Sequence, residues 1–340
     1  MKTLIVFFAS CVFSIITFAQ NADSANFYYN KGLKAQTDGL FAIAAKDFEK
    51  AVDFNPAFTE AYIANGETNL SMRAISKAQE NFNKAFELQP DNAEVIRHLT
   101  TLYFNNHQYQ KAIEFAQKCK TCDDAGRVSG MSFYHLEDYG KAEKYLTGYL
   151  NNNSTDAEAL YTLAQTYIEL ENEKAAINAM QKAVELSPGK SAWLYDLGMM
   201  YYSQNDFKKA LTYFDLAAQN GYNKTNAFYE NYGFAQLYSG DTENGIKTLN
   251  VVLERKPNNK ELLNNMAHAM YETQKYKEAL DYFTKILDLD STDATTLYMA
   301  GMTFQKLGQK EKGQKICDHA IEMDPSLSKY RQKNQMPMGL

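Results

Sequence analysis

The sequence predicts an all-helical fold assembled from repeated helical hairpins. Three observations predict it: a pattern of 34 residues recurs along the chain, small residues recur at two positions of that pattern, and five of the six prolines fall at one position of it. A hairpin of this size cannot bury its own apolar face, so copies have to stack on one another. The predicted fold class is therefore an all-α solenoid.

The clearest copy of the pattern is residues 157–190. Its first half carries apolar or small residues at the i, i+3, i+4, i+7 spacing of one helix face, namely Leu160, Leu163, Ala164 and Tyr167. Its second half does the same with Ala176, Ile177, Met180 and Ala183. Residues 169–174 make the turn between the two predicted helices, and Pro188 ends the second one.

Nine copies of this hairpin can be placed along the chain. They are residues 25–58, 59–92, 93–122, 123–156, 157–190, 191–225, 226–259, 260–293 and 294–327. The domain organisation that follows is a leader at 1–19, a short extension at 20–24, the repeats at 25–327 and a tail at 328–340. The tail is short for a complete capping helix, so the apolar face of the last hairpin is expected to be open to another molecule.

Positions eight and twenty of the repeats are nearly always small. Position eight is Gly32, Gly66, Thr100, Gly130, Ala164, Gly198, Gly233, Ala267 and Gly301, and position twenty is Ala44, Ala78, Ala112, Ala142, Ala176, Ala210, Gly245, Ala279 and Gly313. Two helices approach closely only where side chains are small, so these positions are predicted to face each other within each hairpin. The closing position holds Pro56, Pro90, Pro188, Pro257 and Pro325.

Position four of the repeats is often large, as in Tyr28, Tyr62 and Leu160, and position twenty-four is often aromatic, as in Phe48 and Phe82. This pattern resembles the tetratricopeptide repeat (TPR) family. The resemblance covers residues 25–327. It implies a right-handed superhelical solenoid of about nine helix-turn-helix hairpins, whose concave groove holds peptides or protein partners. It implies no chemistry.

In this family the second, fifth, ninth and twelfth positions of the first helix point into the groove; we call them the groove positions. They contain many aromatic, Met and Arg residues here, the residue types that anchor interfaces. The predicted partner-binding residues are Arg97, Phe104, Arg127, Met131, Tyr134, Tyr161, Tyr195, Met199, Tyr202, Phe234 and Tyr271. The alternative interpretation is that some of these side chains belong to the core.

The groove positions do not match the best-known ligand site of the family, a carboxylate clamp. The Lys and Asn residues of the family's carboxylate clamp are absent, since the matching positions hold Tyr29 and Leu33 in the first repeat and Ile63 and Glu67 in the second. A chaperone-tail adaptor is therefore not expected. Arg97 and Arg127 lie one repeat apart, which leaves a weaker site for an acidic peptide as a hypothesis.

The first nineteen residues have the pattern of a secretory signal peptide, with Lys2 before an apolar stretch and small residues at Thr17 and Ala19. An exported, periplasmic or envelope protein is expected, similar to exported bacterial repeat proteins. An uncleaved anchor or a lipid-anchored form through Cys11 are the alternatives. The formal net charge of −6 and the scattered Lys and Arg residues argue against nucleic acid as a partner.

The Cys119-Lys-Thr-Cys122 motif has four interpretations: a structural disulfide, free thiols, a redox dithiol or a metal site. The disulfide is the preferred one. Cys317 is expected to be buried and unpaired. No catalytic constellation is found: the five histidines have no recognised partner at metal-ligand spacing, and Pro188-Gly189-Lys190-Ser191 lacks the upstream glycine of a phosphate-binding loop. No enzyme activity, cofactor or metal is expected.

The third repeat has 30 residues, and the fourth begins with the poor helix formers Asp123, Asp124 and Gly126. A kink or loosened stack near residues 118–128 is one expectation, and a shorter second helix absorbed by packing is the other.

The function that follows from the whole pattern is a non-catalytic scaffold that binds protein or peptide in the groove. A structural subunit of an envelope assembly and a carbohydrate- or cell-wall-binding module are the alternatives, and the oligomeric state stays open.

Overall fold

The structure is a computed structural model that describes residues 21–333, and within them it is all-helical. The predicted signal peptide and the end of the predicted tail lie outside the described residues. The chain divides into two compact units, one ending at Lys182 and the other beginning at Ala183. Among residues 21–333, no helix is both long enough and apolar enough to cross a bilayer.

The first unit contains the helices of the first five predicted repeats. Helix α1 covers residues 21–37 of the described part and is followed by α2 (Phe41–Phe54), α3 (Thr59–Ser71), α4 (Ile75–Leu88), α5 (Ala93–Asn105), α6 (Tyr109–Lys118), α7 (Ala125–His135), α8 (Tyr139–Leu150), α9 (Ala157–Glu169) and α10 (Glu173–Leu186), whose last turn belongs to the second unit. From α2 to α9, each helix packs against the next one.

The second unit continues the same order. It contains α11 (Ser191–Ser203), α12 (Phe207–Gln219), α13 (Asn226–Ser239), α14 (Thr242–Arg255), α15 (Lys260–Glu272), α16 (Tyr276–Leu289), α17 (Ala294–Lys306), α18 (Lys310–Met323), a 3-10 turn at Pro325–Leu327 and α19 (Ser328–Lys333). The first helix of most repeats begins at the first residue of the predicted repeat, as at Thr59, Ala157 and Lys260.

The turn inside each hairpin uses one residue in the left-handed region at position fifteen of the repeat. The residues with positive φ there are Gly39, Arg73, His107, Glu137, Glu171, Asn205, Gly240, Gln274 and Gly308. A left-handed residue after a helix is the usual way to end it, and glycine adopts that conformation at the lowest cost. Six of the nine turns are made by other residue types, which accept the strain.

The small residues at position eight let a side chain from the second helix sit directly against the first. A Cβ built on Gly66 would lie 2.7 Å from the Phe82 ring, and one on Gly198 would lie 2.6 Å from the Phe214 ring. Phe82 and Phe214 are at position twenty-four and are fully buried. Position eight is therefore opposite both position twenty, as predicted, and the large side chain of position twenty-four.

The shorter third repeat is accommodated by a shorter helix. Helix α6 has 10 residues, and the chain from Cys119 to Asp124 connects it to α7. Ile113 of α6 and Phe133 of α7 belong to one buried cluster, and Val128 of α7 belongs to the cluster formed with Leu99 of α5. The stack is not loosened here, so the second of the two expectations holds.

The last hairpin is partly covered by the chain that follows it. Leu327 is buried with Tyr298, Cys317 and Ala320, and Tyr330 packs against this cluster. Arg331 of α19 forms an ion pair with Asp318 of α18. The expectation of an open apolar face at this end is therefore wrong for the part that Leu327 and Tyr330 cover. The error arose because one turn and one short helix suffice to place these two side chains.

Candidate partner-binding surfaces

The predicted groove residues differ in how much of them reaches solvent. Arg97 is exposed. Eight are half-buried, namely Phe104, Arg127, Met131, Tyr134, Tyr161, Tyr195, Met199 and Tyr202. Phe234 and Tyr271 are buried. The groove positions therefore include side chains that a partner can contact and side chains that belong to the core.

Phe234 and Tyr271 are corrections to the predicted surface. They are 9% and 6% exposed, and both belong to the apolar cluster that includes Leu263, Met266 and Met299. The Tyr276 ring also meets Tyr271 edge-on at 5.3 Å between centroids. Burial raises the pKa of Tyr271 to about 12. Repeat position alone does not decide exposure, because neighbouring helices close over these two rings.

In the first unit, six side chains of the third and fourth repeats form what we call the first aromatic cluster: Phe104, His107, Tyr109, Tyr134, His135 and Tyr139. The Tyr109 ring stacks on the His135 imidazole with 4.5 Å between centroids and 13° between planes. Phe104 meets Tyr109 edge-on at 5.7 Å, and Tyr134 meets His135 edge-on at 5.5 Å. Each ring is thus fixed by a neighbour while part of it stays accessible.

Two titratable groups of the first aromatic cluster, His135 and Tyr134, favour their neutral forms. Burial, and then the nearby His107, lowers the pKa of His135. Burial, and then the nearby Glu169, raises the pKa of Tyr134. His107 Nδ1 lies 2.6 Å from the Tyr109 hydroxyl. Such a surface offers ring faces and hydrogen-bonding groups to a partner more than it offers charge.

In the second unit, Tyr202, Phe207 and Tyr238 repeat the arrangement, and we call them the second aromatic cluster. Phe207 stacks on Tyr238 with 5.1 Å between centroids and 24° between planes, and Tyr202 meets Phe207 edge-on at 5.4 Å. The three residues occupy the same repeat positions as Phe104, Tyr109 and His135. The Tyr238 hydroxyl donates a hydrogen bond to Glu272 Oε2 at 3.3 Å.

Tyr195 is held by its own unit. Its ring stacks on Tyr222 with 4.4 Å between centroids, and Asn231 Nδ2 donates a hydrogen bond to its hydroxyl at 2.7 Å. Burial is the main reason that the Tyr195 pKa is raised. Tyr195 is half-buried, and these contacts make it a packing residue between the sixth and seventh repeats.

The two arginines of the acidic-peptide hypothesis are both paired within the first unit. Arg127 Nε lies 2.7 Å from Asp156 Oδ2, and Arg127 Nη2 lies 2.7 Å from Glu158 Oε2. Arg97 Nε lies 3.7 Å from Asp124 Oδ1. Because Arg127 already binds two carboxylates, the structure gives no support to an acidic-peptide site that uses it. Arg127 instead links the fourth repeat to the fifth.

Cys119 and Cys122 are joined by a disulfide at the end of α6. Their Cα atoms are 5.5 Å apart, which is ordinary for such a bond. Cys317 is buried with a free thiol, and burial raises its pKa to about 11. It occupies position twenty-four, where six other repeats have Phe or Leu, and its sulfur packs against Gly301.

The groove positions do not include two thirds of each aromatic cluster, because those residues come from other repeat positions. Tyr109, Tyr139 and Phe207 are the first residues of second helices, at position seventeen, and His135 and Tyr238 are at position thirteen. A signal was present in the sequence, because position seventeen is aromatic in five repeats: Phe41, Tyr109, Tyr139, Phe207 and Tyr276.

Comparison with known proteins agrees with the hairpin architecture. Three family profiles, each described as tetratricopeptide repeat, match residues 128–191 and 161–223, 260–293, and 294–327. The chain belongs to the tetratricopeptide repeat family. Proteins of this family are generally scaffolds for protein interactions.

Curated relatives are distant and longer than the matched region. The chain is 22% identical to the Protein CTR9 homolog of Arabidopsis thaliana over 302 residues, covering 75% of this chain and 28% of that protein. It is 25% identical to the human Protein O-mannosyl-transferase TMTC3 over 172 residues, covering 48% of this chain and 19% of that protein. The chain thus spans less than a third of either relative.

Among solved structures, the chain is similar to PilW, described as a widely conserved type IV pilus biogenesis factor. The identity is 19% and the TM-score 0.49, with 59% of this chain and 95% of that chain covered.

Proposed function

We propose that this protein is a non-catalytic scaffold that binds a protein or peptide partner through its two aromatic clusters. The observation that carries the proposal is their recurrence: both units present a stacked pair of rings and a third ring edge-on, at the same three repeat positions. Aromatic side chains held rigidly at a surface lose little conformational entropy on binding and are the usual anchors of interfaces.

The chemistry of the clusters favours a polypeptide partner that carries apolar or aromatic side chains. Half-buried rings bury further apolar area when they are covered, and their hydroxyl and imidazole groups can hydrogen-bond to a peptide backbone. The first cluster holds a lowered His135 pKa and a raised Tyr134 pKa, both of which favour uncharged groups. The acidic balance of the whole chain makes a nucleic-acid partner unfavourable.

The test is a crosslinking pull-down from the envelope fraction of the native host. One variant carries Tyr109→Ala and Tyr134→Ala, and a second carries Phe207→Ala and Tyr238→Ala. The matched control carries Leu88→Ala and Leu216→Ala, which remove apolar side chains that are 39% and 37% exposed and lie outside both clusters. Thermal melts establish that each variant folds.

The expected result is that a specific protein partner is recovered with the wild type and the control, and is lost with at least one cluster variant. An unchanged partner list in both cluster variants would overturn the proposal. If association were lost only when residues 260–340 were removed, the structural-subunit alternative would replace it. Glycan binding that both cluster variants lose would favour the carbohydrate alternative.

We also propose that the protein is exported to the periplasm or cell envelope. The leader pattern at residues 1–19 supports this, and the Cys119–Cys122 disulfide suits an oxidising compartment. Cell fractionation followed by N-terminal sequencing tests it. A mature chain that begins at Gln20 in the periplasmic or envelope fraction is expected, and an intact leader on protein confined to the cytosol would contradict it.

A further inference from the structure

Outside the aromatic clusters, three metal-ligating side chains meet where the second and third repeats pack. They are Glu67 of α3 and Glu94 and His98 of α5, and their ligand atoms all lie within 4.8 Å of one another. His98 Nε2 lies 3.4 Å from Glu67 Oε1. Glu67 and His98 are half-buried and Glu94 is exposed, so the group is open to an ion from solvent.

The local structure holds these side chains in place. Glu94 and His98 are four residues apart in one helix, the spacing that puts two ligands on the same face. The His98 imidazole stacks on the buried Phe82 ring, with 4.4 Å between centroids and 13° between planes. The first turn of α5, which carries Glu94, is capped by Asn92, whose side chain accepts hydrogen bonds from the amides of Glu94 and Val95.

The group carries an excess of negative charge. Within the described part of the chain, Glu67 pairs with His98, and neither Glu67 nor Glu94 forms an ion pair with a Lys or Arg residue. The pKa of nearby Tyr29 is raised mainly by burial and then by the negative charges of Glu60, Glu67 and Glu94, so the electrostatic field around the group is negative. Two carboxylates this close repel each other unless a cation lies between them.

We propose that Glu67, Glu94 and His98 bind a divalent transition-metal ion, with Zn²⁺ as the best match. One imidazole nitrogen and two carboxylate oxygens are a donor set that Zn²⁺ accepts, whereas Ca²⁺ takes six to eight oxygens and Mg²⁺ a near-octahedral oxygen shell. Donors at about 2.1 Å from a tetrahedral ion lie about 3.4 Å apart. The three ligand atoms lie within 4.8 Å of one another, so small side-chain rotations suffice to bring them to that separation.

Three protein ligands leave a fourth position for water or for a group of a bound partner. Glu67 and Glu94 are at groove positions nine and two of their repeats, so that fourth position belongs to the surface on which the family holds its ligands. Metal binding by the three side chains does not depend on the proposed function, since it is a property of the isolated chain.

Zinc titration of the tag-free, metal-stripped protein by calorimetry tests the proposal, in buffer without reductant so that the Cys119–Cys122 disulfide stays closed. Binding of one Zn²⁺ is expected, with a rise in melting temperature. His98→Ala and Glu67→Gln should each weaken the affinity at least tenfold. Glu94→Gln leaves the His98–Phe82 stacking intact, so it reports on ligand loss without a packing change and should weaken binding similarly.

The matched control is His319→Ala. His319 and Glu322 also form an ion pair, with His319 Nδ1 3.5 Å from Glu322 Oε2, but both are exposed on α18, and they do not belong to the three-ligand group found in the described residues. His319→Ala should leave Zn²⁺ affinity unchanged. The proposal is overturned if wild type shows neither binding heat nor a melting shift, if all three site variants bind as tightly as wild type, or if His319→Ala removes the binding.

Discussion

The Tyr109 ring lies nearly parallel to the His135 imidazole of the following repeat, with 4.5 Å between centroids. Phe207 and Tyr238 make the same contact in the second unit at 5.1 Å. Position thirteen is thus an imidazole in one cluster and a tyrosine in the other, and of these two side chains only the imidazole titrates near neutral pH. The first cluster therefore contains a pH-sensitive contact that the second cluster lacks.

Replacing the His135 imidazole by a ring that cannot titrate should reduce the loss of folding stability as the pH falls. The pKa of His135 is lowered from 6.5 in the folded protein by burial and by His107, so the unfolded chain takes up its proton first as pH falls. Stability from this group is complete above about pH 6.5 and declines as pH falls from there to the folded pKa. Urea unfolding of His135→Phe between pH 7.5 and 5.5 should show a smaller loss than wild type.

Some pH dependence should remain in that variant. His268 also has a lowered pKa, mainly because it is buried, with Glu272 opposing the shift, and it titrates in the same direction. A His135→Phe variant that loses as much stability on acidification as wild type would contradict the role assigned to His135.

Adding one methyl group at position eight should destabilise a hairpin. The Cβ of Gly198→Ala would lie 2.6 Å from the Phe214 ring and 3.3 Å from the carbonyl oxygen of Ala210. Overpacking of this kind costs about 1–3 kcal/mol. The control is Gly148→Ala in α8, whose Cβ would meet nothing within 4 Å and should raise stability by about 0.5–1 kcal/mol. If chemical denaturation shows that both substitutions change the free energy of unfolding equally, the two helices of the hairpin can move apart without cost.

At position fifteen of the repeat, one substitution should lower the stability of the protein and another should raise it. Gly308 has φ 84° and Glu171 has φ 55°. Gly308→Ala should cost about 1–2 kcal/mol, because an L side chain is strained in the left-handed region and no other atom lies near the new Cβ. Glu171→Gly should gain about 0.5–1 kcal/mol by releasing the same strain. Thermal melts of the two variants and wild type check the order, and a destabilised Glu171→Gly would disprove it.

The Asp156 carboxylate has two roles that different substitutions separate. It caps α9 by accepting a hydrogen bond from the Ala159 amide at 3.0 Å, and it pairs with Arg127. Asp156→Asn keeps a good cap and loses the ion pair, for an expected cost of about 1 kcal/mol. Asp156→Ala loses the cap, the ion pair and the hydrogen bond that Asp156 Oδ2 accepts from the Tyr149 hydroxyl at 3.1 Å, for about 2 kcal/mol. Urea unfolding at pH 7 measures the two differences.

The cost of Asp156→Asn should shrink in acid. Burial opposes ionisation of Asp156, but the Ala159 amide and the charge and hydrogen bond of Arg127 outweigh it, so its pKa lies below the usual 3.8. The stability it provides is complete above about pH 4 and is lost as pH falls through its folded pKa. If the difference in unfolding free energy between wild type and Asp156→Asn stays constant down to pH 2, its cause is packing and not the charge of Asp156.

Much of the fold could be predicted because each structural need recurs every 34 residues. A close helix approach needs a small residue, and the positions of Gly66 and Gly198 show that need in the sequence. The left-handed turn at position fifteen was less visible, since Arg73, His107 and Glu137 occupy it as well as glycine. A position that requires the left-handed conformation is hard to recognise in the sequence when residues other than glycine occupy it and accept the strain.

The surface could be predicted only in part, because exposure depends on neighbouring helices that repeat numbering ignores. Tyr134 and Tyr202 stay half-exposed, while Tyr271 at the same position is covered. Arg127 finds its partner Asp156 29 residues away, and Glu67 meets His98 from the adjacent repeat. The pairing of Glu94 with His98 could have been read from the sequence, since four residues separate them in one helix.

Within each unit, the substantial helix contacts run between elements that are one or two places apart in the chain. Pulled at its ends, either unit of the described chain therefore has no substantial contact between distant helices that must break before a hairpin can yield. Its hairpins should detach one after another at low force, each of the 34-residue repeats lengthening the tether by roughly 110 Å. Under tension, each unit should therefore extend one hairpin at a time instead of in a single step.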